Sequence, residues 1–175
     1  SGCEMRGLTH RFRGLEAEIA FLIGEDLPPR EIAYTREEVV AAIASCHPAI
    51  EVIETGLIDP LQTTRLTMIA DLQIHGGFVH GDAVPDWQSI DFTRERVALA
   101  VDGAVRIERT GSNTSGDLVG LLPWLANEGA ARTGGLKKGD WITTGSWTGL
   151  TQASAGSSVQ VEFSTAGKVN LRFGR

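Results

Sequence analysis

The chain has 175 residues, 22 of them acidic and 16 basic, for a net charge of −6 with histidine neutral. Hydrophobic residues make up 42% and charged residues 22%, which fits one soluble globular domain and excludes a disordered chain or a disulfide scaffold. No Lys/Arg run accompanies the acidic balance, so neither nucleic acid nor an anionic membrane surface is expected as a partner.

The first dozen residues are polar and mixed, and residues 1–14 read as a lead-in to a domain over 15–175. No apolar core follows a basic start, as it would in a secretory leader. The two lone cysteines, Cys3 and Cys46, suit a reducing compartment, so the expected location is the cytoplasm. The longest apolar runs, such as Leu118–Leu125, are too short to span a bilayer and are broken by Gly120 and Pro123.

Residues 15–24 predict a strand rich in apolar side chains, followed by a loop through Pro28-Pro29. Thr35-Arg36-Glu37-Glu38 is a capping box, and Val39, Val40, Ile43 and Ala44 supply the apolar face of a helix over 36–46, stopped before Pro48. Residues 49–54 form a second, β-branched strand. Residues 66–72 fit a strand or a short helix equally well. Residues 76–81 read as a short strand between glycines, and residues 97–109 as a hairpin about a type I′ turn at Asp102-Gly103. A helix over 116–127 ends at Gly129, with Pro123 kinking it or marking its true start. Strands at 141–144, 158–164 and 168–173 close the chain. Strands that follow one another with two or three helices between them predict a β-rich α+β fold, a mixed β-sandwich roll.

Alternation places Glu16 and Glu18 on one face of the first strand, opposite Leu15, Ala17, Ile19 and Phe21. In an apolar strand two adjacent carboxylates repel, so either this face is wet or a hard divalent cation compensates them. On pattern alone the wet face is favoured. Glu51 is a lone acid inside Ile50-Glu51-Val52-Ile53; Glu54, its competitor as a third ligand, points the other way if the strand is regular. His10, His47, His75 and His80 show no ligand spacing and read singly as surface or capping residues. Residues 111–116 offer an anion site at a helix N-terminus or, preferably, an ordinary cap by Ser115 or Asn113. Residues 143–149 carry four hydroxyls between glycines after a strand, able to face a carboxylate but equally an ordinary turn.

Leu15-Glu-Ala-Glu-Ile-Ala-Phe21, His47-Pro-Ala-Ile-Glu-Val-Ile53, Trp124-Leu-Ala-Asn127 and Leu136–Ser146, in this order, resemble the fumarylacetoacetate hydrolase superfamily, in particular its 2-keto-4-pentenoate hydratase and 4-oxalocrotonate decarboxylase branch. The resemblance runs from Arg11 to Phe173. It implies Mg²⁺ or Mn²⁺ held by Glu16, Glu18 and Glu51, and a small 2-oxo acid substrate from aromatic ring-cleavage catabolism. Thr144 and Ser146 fall where the family's turn touches substrate. The implied reaction is hydration of a 2-oxo-4-enoate; decarboxylation, acylpyruvate hydrolysis and a non-catalytic metal-binding homologue are the alternatives. A homo-oligomer is expected, as in the family. The family's N-terminal lysine and acid have no counterpart before Arg11, which leaves Asp71 as the catalytic candidate, with His75 beside it. The family's Arg after the third ligand is replaced within Glu54-Thr55-Gly56, and its Asn by Leu72.

Overall fold

A computed structural model of the chain describes residues 2–6 and 11–174; His10 lies outside them. The fold is the expected β-rich sandwich roll, with two five-stranded sheets and three short helices in the connections between strands of the described residues. In chain order the strands are β1 (Gly2–Met5), β2 (Gly14–Ile23), β3 (Ile43–Ile53), β4 (His75–His80), β5 (Arg96–Val101), β6 (Ala104–Thr110), β7 (Trp141–Thr143), β8 (Thr151–Gln152), β9 (Ser158–Phe163) and β10 (Gly167–Phe173). The helices are α1 (Arg36–Ala41), α2 (Arg65–Ala70) and α3 (Leu122–Trp124). One sheet runs β1-β10-β9-β5-β6; the other runs β4-β3-β2-β7, with β8 also pairing β2.

The core lies between the sheets. Leu15, Ala17, Ile19, Phe21 and Ile23 of β2 meet Val97 and Leu99 of β5, Val161 and Phe163 of β9, and Leu171 and Phe173 of β10, all buried. Each such large side chain contributes about 1.5–3 kcal/mol by leaving water. Trp147 plugs the space between the sheets, with its ring edge-on to Phe163 at 5.3 Å and 88°. The β5–β6 hairpin turns at Asp102 and Gly103 with φ of 52° and 79°, as a type I′ turn requires.

Three expectations are corrected. The helix over 36–46 ends at Ala41, and residues 43–46 belong to β3. The capping box forms as read, but Ile43 and Cys46 bury their side chains in the core opposite Ile23 and Phe21, and sheet pairing overrides the local helical pattern. Pro48 therefore lies within the strand, opposite Ile19. Its own carbonyl accepts from Gly81 N–H at the end of β4, and the Ile19 carbonyl is taken by Thr144 on the other side. The helix over 116–127 shrinks to α3, with Pro123 in its first turn, and then widens into a π turn over Leu125–Gly129. The left-handed stop falls at Gly134, with φ of 94°, rather than at Gly129. The ambiguous 66–72 stretch resolves as the helix α2, capped by the Thr64 hydroxyl.

Candidate metal centre

The second face of the β4-β3-β2-β7 sheet carries the acids. Glu16 stands directly opposite Glu51 across the β2–β3 pair, and Glu18 is two residues along on the same face. One carboxylate oxygen from each of Glu16, Glu18 and Glu51 lies within 4.8 Å of the others. The wet-face alternative does not hold for Glu18, which is 2% exposed; Glu16 and Glu51 are partly buried.

Each acid has a hydrogen-bond donor of its own. Glu18 Oε2 accepts from Gly145 N–H at 2.9 Å. Glu16 accepts from the Ser146 hydroxyl. Glu51 Oε1 accepts from His75 Nδ1 at 2.7 Å. Among the described residues no Lys or Arg pairs with any of the three. Burial, and then the nearby Glu51 and Glu16 carboxylates, push Glu18 up to about 7 against the opposing pull of the Gly145 amide. Burial and the charge of Glu51 raise Glu16 too, opposed by Ser146. Three carboxylates brought this close together, two of them with their charged form opposed by burial, are a donor set suited to a hard divalent cation.

The turn after β7 is built to aim its amides. Gly145 has φ of 93°, a left-handed conformation that glycine adopts without penalty and that points its N–H at Glu18. The Thr144 hydroxyl and N–H both donate to the Ile19 carbonyl of β2. Asn113, buried, donates its amide to the carbonyls of Thr144 and Gly145. The 111–116 segment is therefore a buttress for this turn. Asn113 Oδ1 accepts from Ser115 N–H, and no helix starts there to attract an anion or need a cap.

Of the six residues singled out from the sequence, four come together: Glu16, Glu18, Glu51 and Ser146. Thr144 spends its hydroxyl on the backbone of β2. Asp71, the C-terminal cap of α2, lies outside the acid cluster and accepts from the Thr55 hydroxyl. Glu54 is committed elsewhere: burial pushes its carboxyl up, but N–H groups at Phe12, Arg13 and Thr55 outweigh that and hold it low. His47 is buried, with its ring nitrogens on Ser45 Oγ and the Gly81 carbonyl. Sequence reasoning missed the Gly145 amide; it named His75 beside Asp71 as a candidate but not as the partner of Glu51.

The model of the family described as "Fumarylacetoacetate (FAA) hydrolase C-terminal" matches residues 9–173. A 2-hydroxyhexa-2,4-dienoate hydratase of Comamonas testosteroni is 29% identical over 161 residues, covering 90% of this chain and 59% of that protein. A 2-keto-4-pentenoate hydratase of Burkholderia vietnamiensis is 26% identical over 159 residues, covering 91% and 60%. The chain thus spans about three fifths of the length of these curated relatives. The solved 4-oxalocrotonate decarboxylase of Pseudomonas putida G7, complexed with magnesium and adipate, superposes with a TM-score of 0.79 at 22% identity, covering 98% of this chain and 66% of that one. Among the described residues no helix is long and apolar enough to cross a membrane.

Proposed function

Because the chain belongs to the fumarylacetoacetate (FAA) hydrolase C-terminal family, we propose that residues 15–175 form a metal-dependent catalytic domain that adds water to a small 2-oxo-4-enoate. The observation that carries this reading is the convergence of Glu16, Glu18 and Glu51, with no Lys or Arg among the described residues paired to them. In it, the three carboxylates hold Mg²⁺ or Mn²⁺. The relatives named as hydratases support the reaction class, and the magnesium and calcium complexes of the decarboxylase support the metal.

When bound, the cation supplies a Lewis acid that steadies negative charge on the oxygens of a 2-oxo acid. The chain's own groups do the rest. Gly145 N–H and the Ser146 hydroxyl hold Glu18 and Glu16 in place. In this reading Ser146, whose hydroxyl donates to Glu16, is also the residue of the turn that borders the substrate. Thr144 anchors the turn that carries both groups. Asp71 is the proposed proton carrier, held by Thr55.

A second reading has a specific observation behind it. Asp71 stands apart from the acid cluster, and general acid–base groups contribute about 10²–10⁴-fold to such reactions. A chain that binds metal and a 2-oxo acid but turns it over slowly fits that placement. Calorimetry with oxalate, a mimic of the substrate head, tests what the two readings share: binding is expected with Mg²⁺ and none after EDTA. Absorbance loss of a 2-oxo-4-enoate then separates them. Absence of oxalate binding in the presence of metal would overturn both.

A further inference from the structure

Strict alternation puts His75 on the wrong face of β4. Phe78 stands opposite Glu51 and His80 opposite Ala49, so the even-numbered residues of β4 share the acid face. His75, with Gly77 and the buried Val79, should point to the core side. The register shows why it does not. Val52 pairs with Gly77, but the next residue, Ile53, pairs with His75, so Gly76 is an extra residue in β4. This β-bulge moves His75 onto the face of Ile53 and Glu51, diagonal to the carboxylate.

Only glycine fits the bulge. A Cβ at position 76 would lie 2.2 Å from the Cβ of Glu54 and 3.0 Å from its backbone nitrogen. The Glu54 N–H donates to the Ile74 carbonyl at 2.9 Å, which pins the strand on the near side of the bulge. A residue that alternation would bury is thus carried to 2.7 Å from Glu51 Oε1, with its ring 44% exposed.

We infer that His75 is a positioning residue for Glu51, delivered to the acid face by the bulge at Gly76. The inference rests on the metal reading above. Nδ1 donates to Oε1 and fixes the plane of the carboxylate. Glu18 and Glu16 have their counterparts of this donor in the Gly145 amide and the Ser146 hydroxyl. Each acid then has one donor holding it, and donors behind metal ligands typically account for about 10–100-fold in metal affinity. His75 is not itself within ligand distance of the whole cluster, so its part is orientation.

The test is Mn²⁺ affinity, followed by the paramagnetic resonance of the free ion, in four proteins: the parent, His75→Ala, His75→Asn and Glu18→Gln. Asparagine carries its amide nitrogen as many bonds from the backbone as Nδ1, so it can restore the donor. The expected result is an affinity about 10–100-fold weaker in His75→Ala and largely recovered in His75→Asn, with unchanged melting temperatures in EDTA. A purely structural histidine would not show that rescue. Parent-like affinity in His75→Ala, beside weak binding in Glu18→Gln, would overturn the role of His75 and leave the metal reading standing. A parent that binds no Mn²⁺ would overturn both.

Discussion

The two sheets bury their strands in opposite ways. In β9 of one sheet, Val159, Val161 and Phe163 are buried, and Ser158, Gln160 and Glu162 are exposed. In β2 of the other, nearly every residue is covered on both faces. Phe163 and Glu18 are equally buried, each 2% exposed. One is buried because water rejects it, the other although water would keep it. A second buried face in an antiparallel sheet that carries acids is thus a sign of a site rather than of a core.

The sharpest break of this comparison is to truncate each residue. Phe163→Ala removes a ring that meets Trp147 edge-on and should cost about 3–5 kcal/mol in urea unfolding. Glu18→Gln keeps the shape and the acceptor for Gly145 N–H while removing the charge that burial opposes. At neutral pH and without metal it should leave the fold as stable as the parent or more so, while losing metal affinity. A Glu18→Gln protein as unstable as Phe163→Ala would mean that Glu18 is a core residue like any other. Unchanged Mn²⁺ affinity would remove it from the ligand set.

The same contrast appears in pH. Burial raises Glu18 from the ordinary glutamate value of 4.5 to about 7, so the folded state holds a proton that the unfolded chain releases. Its favourable contribution is fully present below pH 4.5 and is lost as pH rises from there to about 7, on the order of 3 kcal/mol. Metal-free protein should therefore lose stability across that window by denaturant unfolding, and Glu18→Gln should flatten the profile. A parent profile that rises between pH 5 and 7 would contradict the buried carboxylate. Phe163→Ala should shift the whole profile down without changing its slope.

A cation should reverse the penalty. Binding only to the folded state adds about 2.7 kcal/mol at a hundred times the dissociation constant. Mg²⁺ or Mn²⁺ should raise the melting temperature and EDTA lower it, with Phe163→Ala showing the same increment and Glu18→Gln little of it. A melting temperature indifferent to metal and chelator would count against the site.

What the sequence could and could not show follows the same physics. Glu16 and Glu18 were legible because alternation is a local rule, and Glu51 because one acid interrupts an apolar strand. The hairpin at Asp102-Gly103 was legible from its turn dipeptide, and β9 and β10 from the Gly-rich turns around them. His75 was not, because the bulge at Gly76 reverses the alternation, and the Gly76-Gly77 pair was the only hint of it. Residues 43–46 carry a helical pattern that pairing with Phe21 and Ile23 overrides. The Gly145 amide is a backbone group without a side-chain signature, and the sequence has no way to say where it points.

The smallest effect separates two neighbouring hydroxyls of one turn that the resemblance left together. Thr144 and Ser146 were both read as facing a substrate. The Thr144 hydroxyl donates to the Ile19 carbonyl at 2.8 Å, and that carbonyl also accepts from the Thr144 N–H. Thr144→Val keeps the volume and removes one of two donors from an acceptor that stays satisfied, so the loss should be about 0.5–1.5 kcal/mol. Because the backbone bond still ties the turn to β2, Gly145 N–H should stay on Glu18, and oxalate affinity in Mg²⁺ should equal that of the parent. Ser146→Ala removes the donor to Glu16, which opposes the rise caused by burial and by Glu51. It should change stability little and weaken Mn²⁺ and oxalate binding together. Calorimetry of both variants decides the matter. Oxalate affinity lost in Thr144→Val and kept in Ser146→Ala would exchange their roles and place the substrate on the β2 side of the turn.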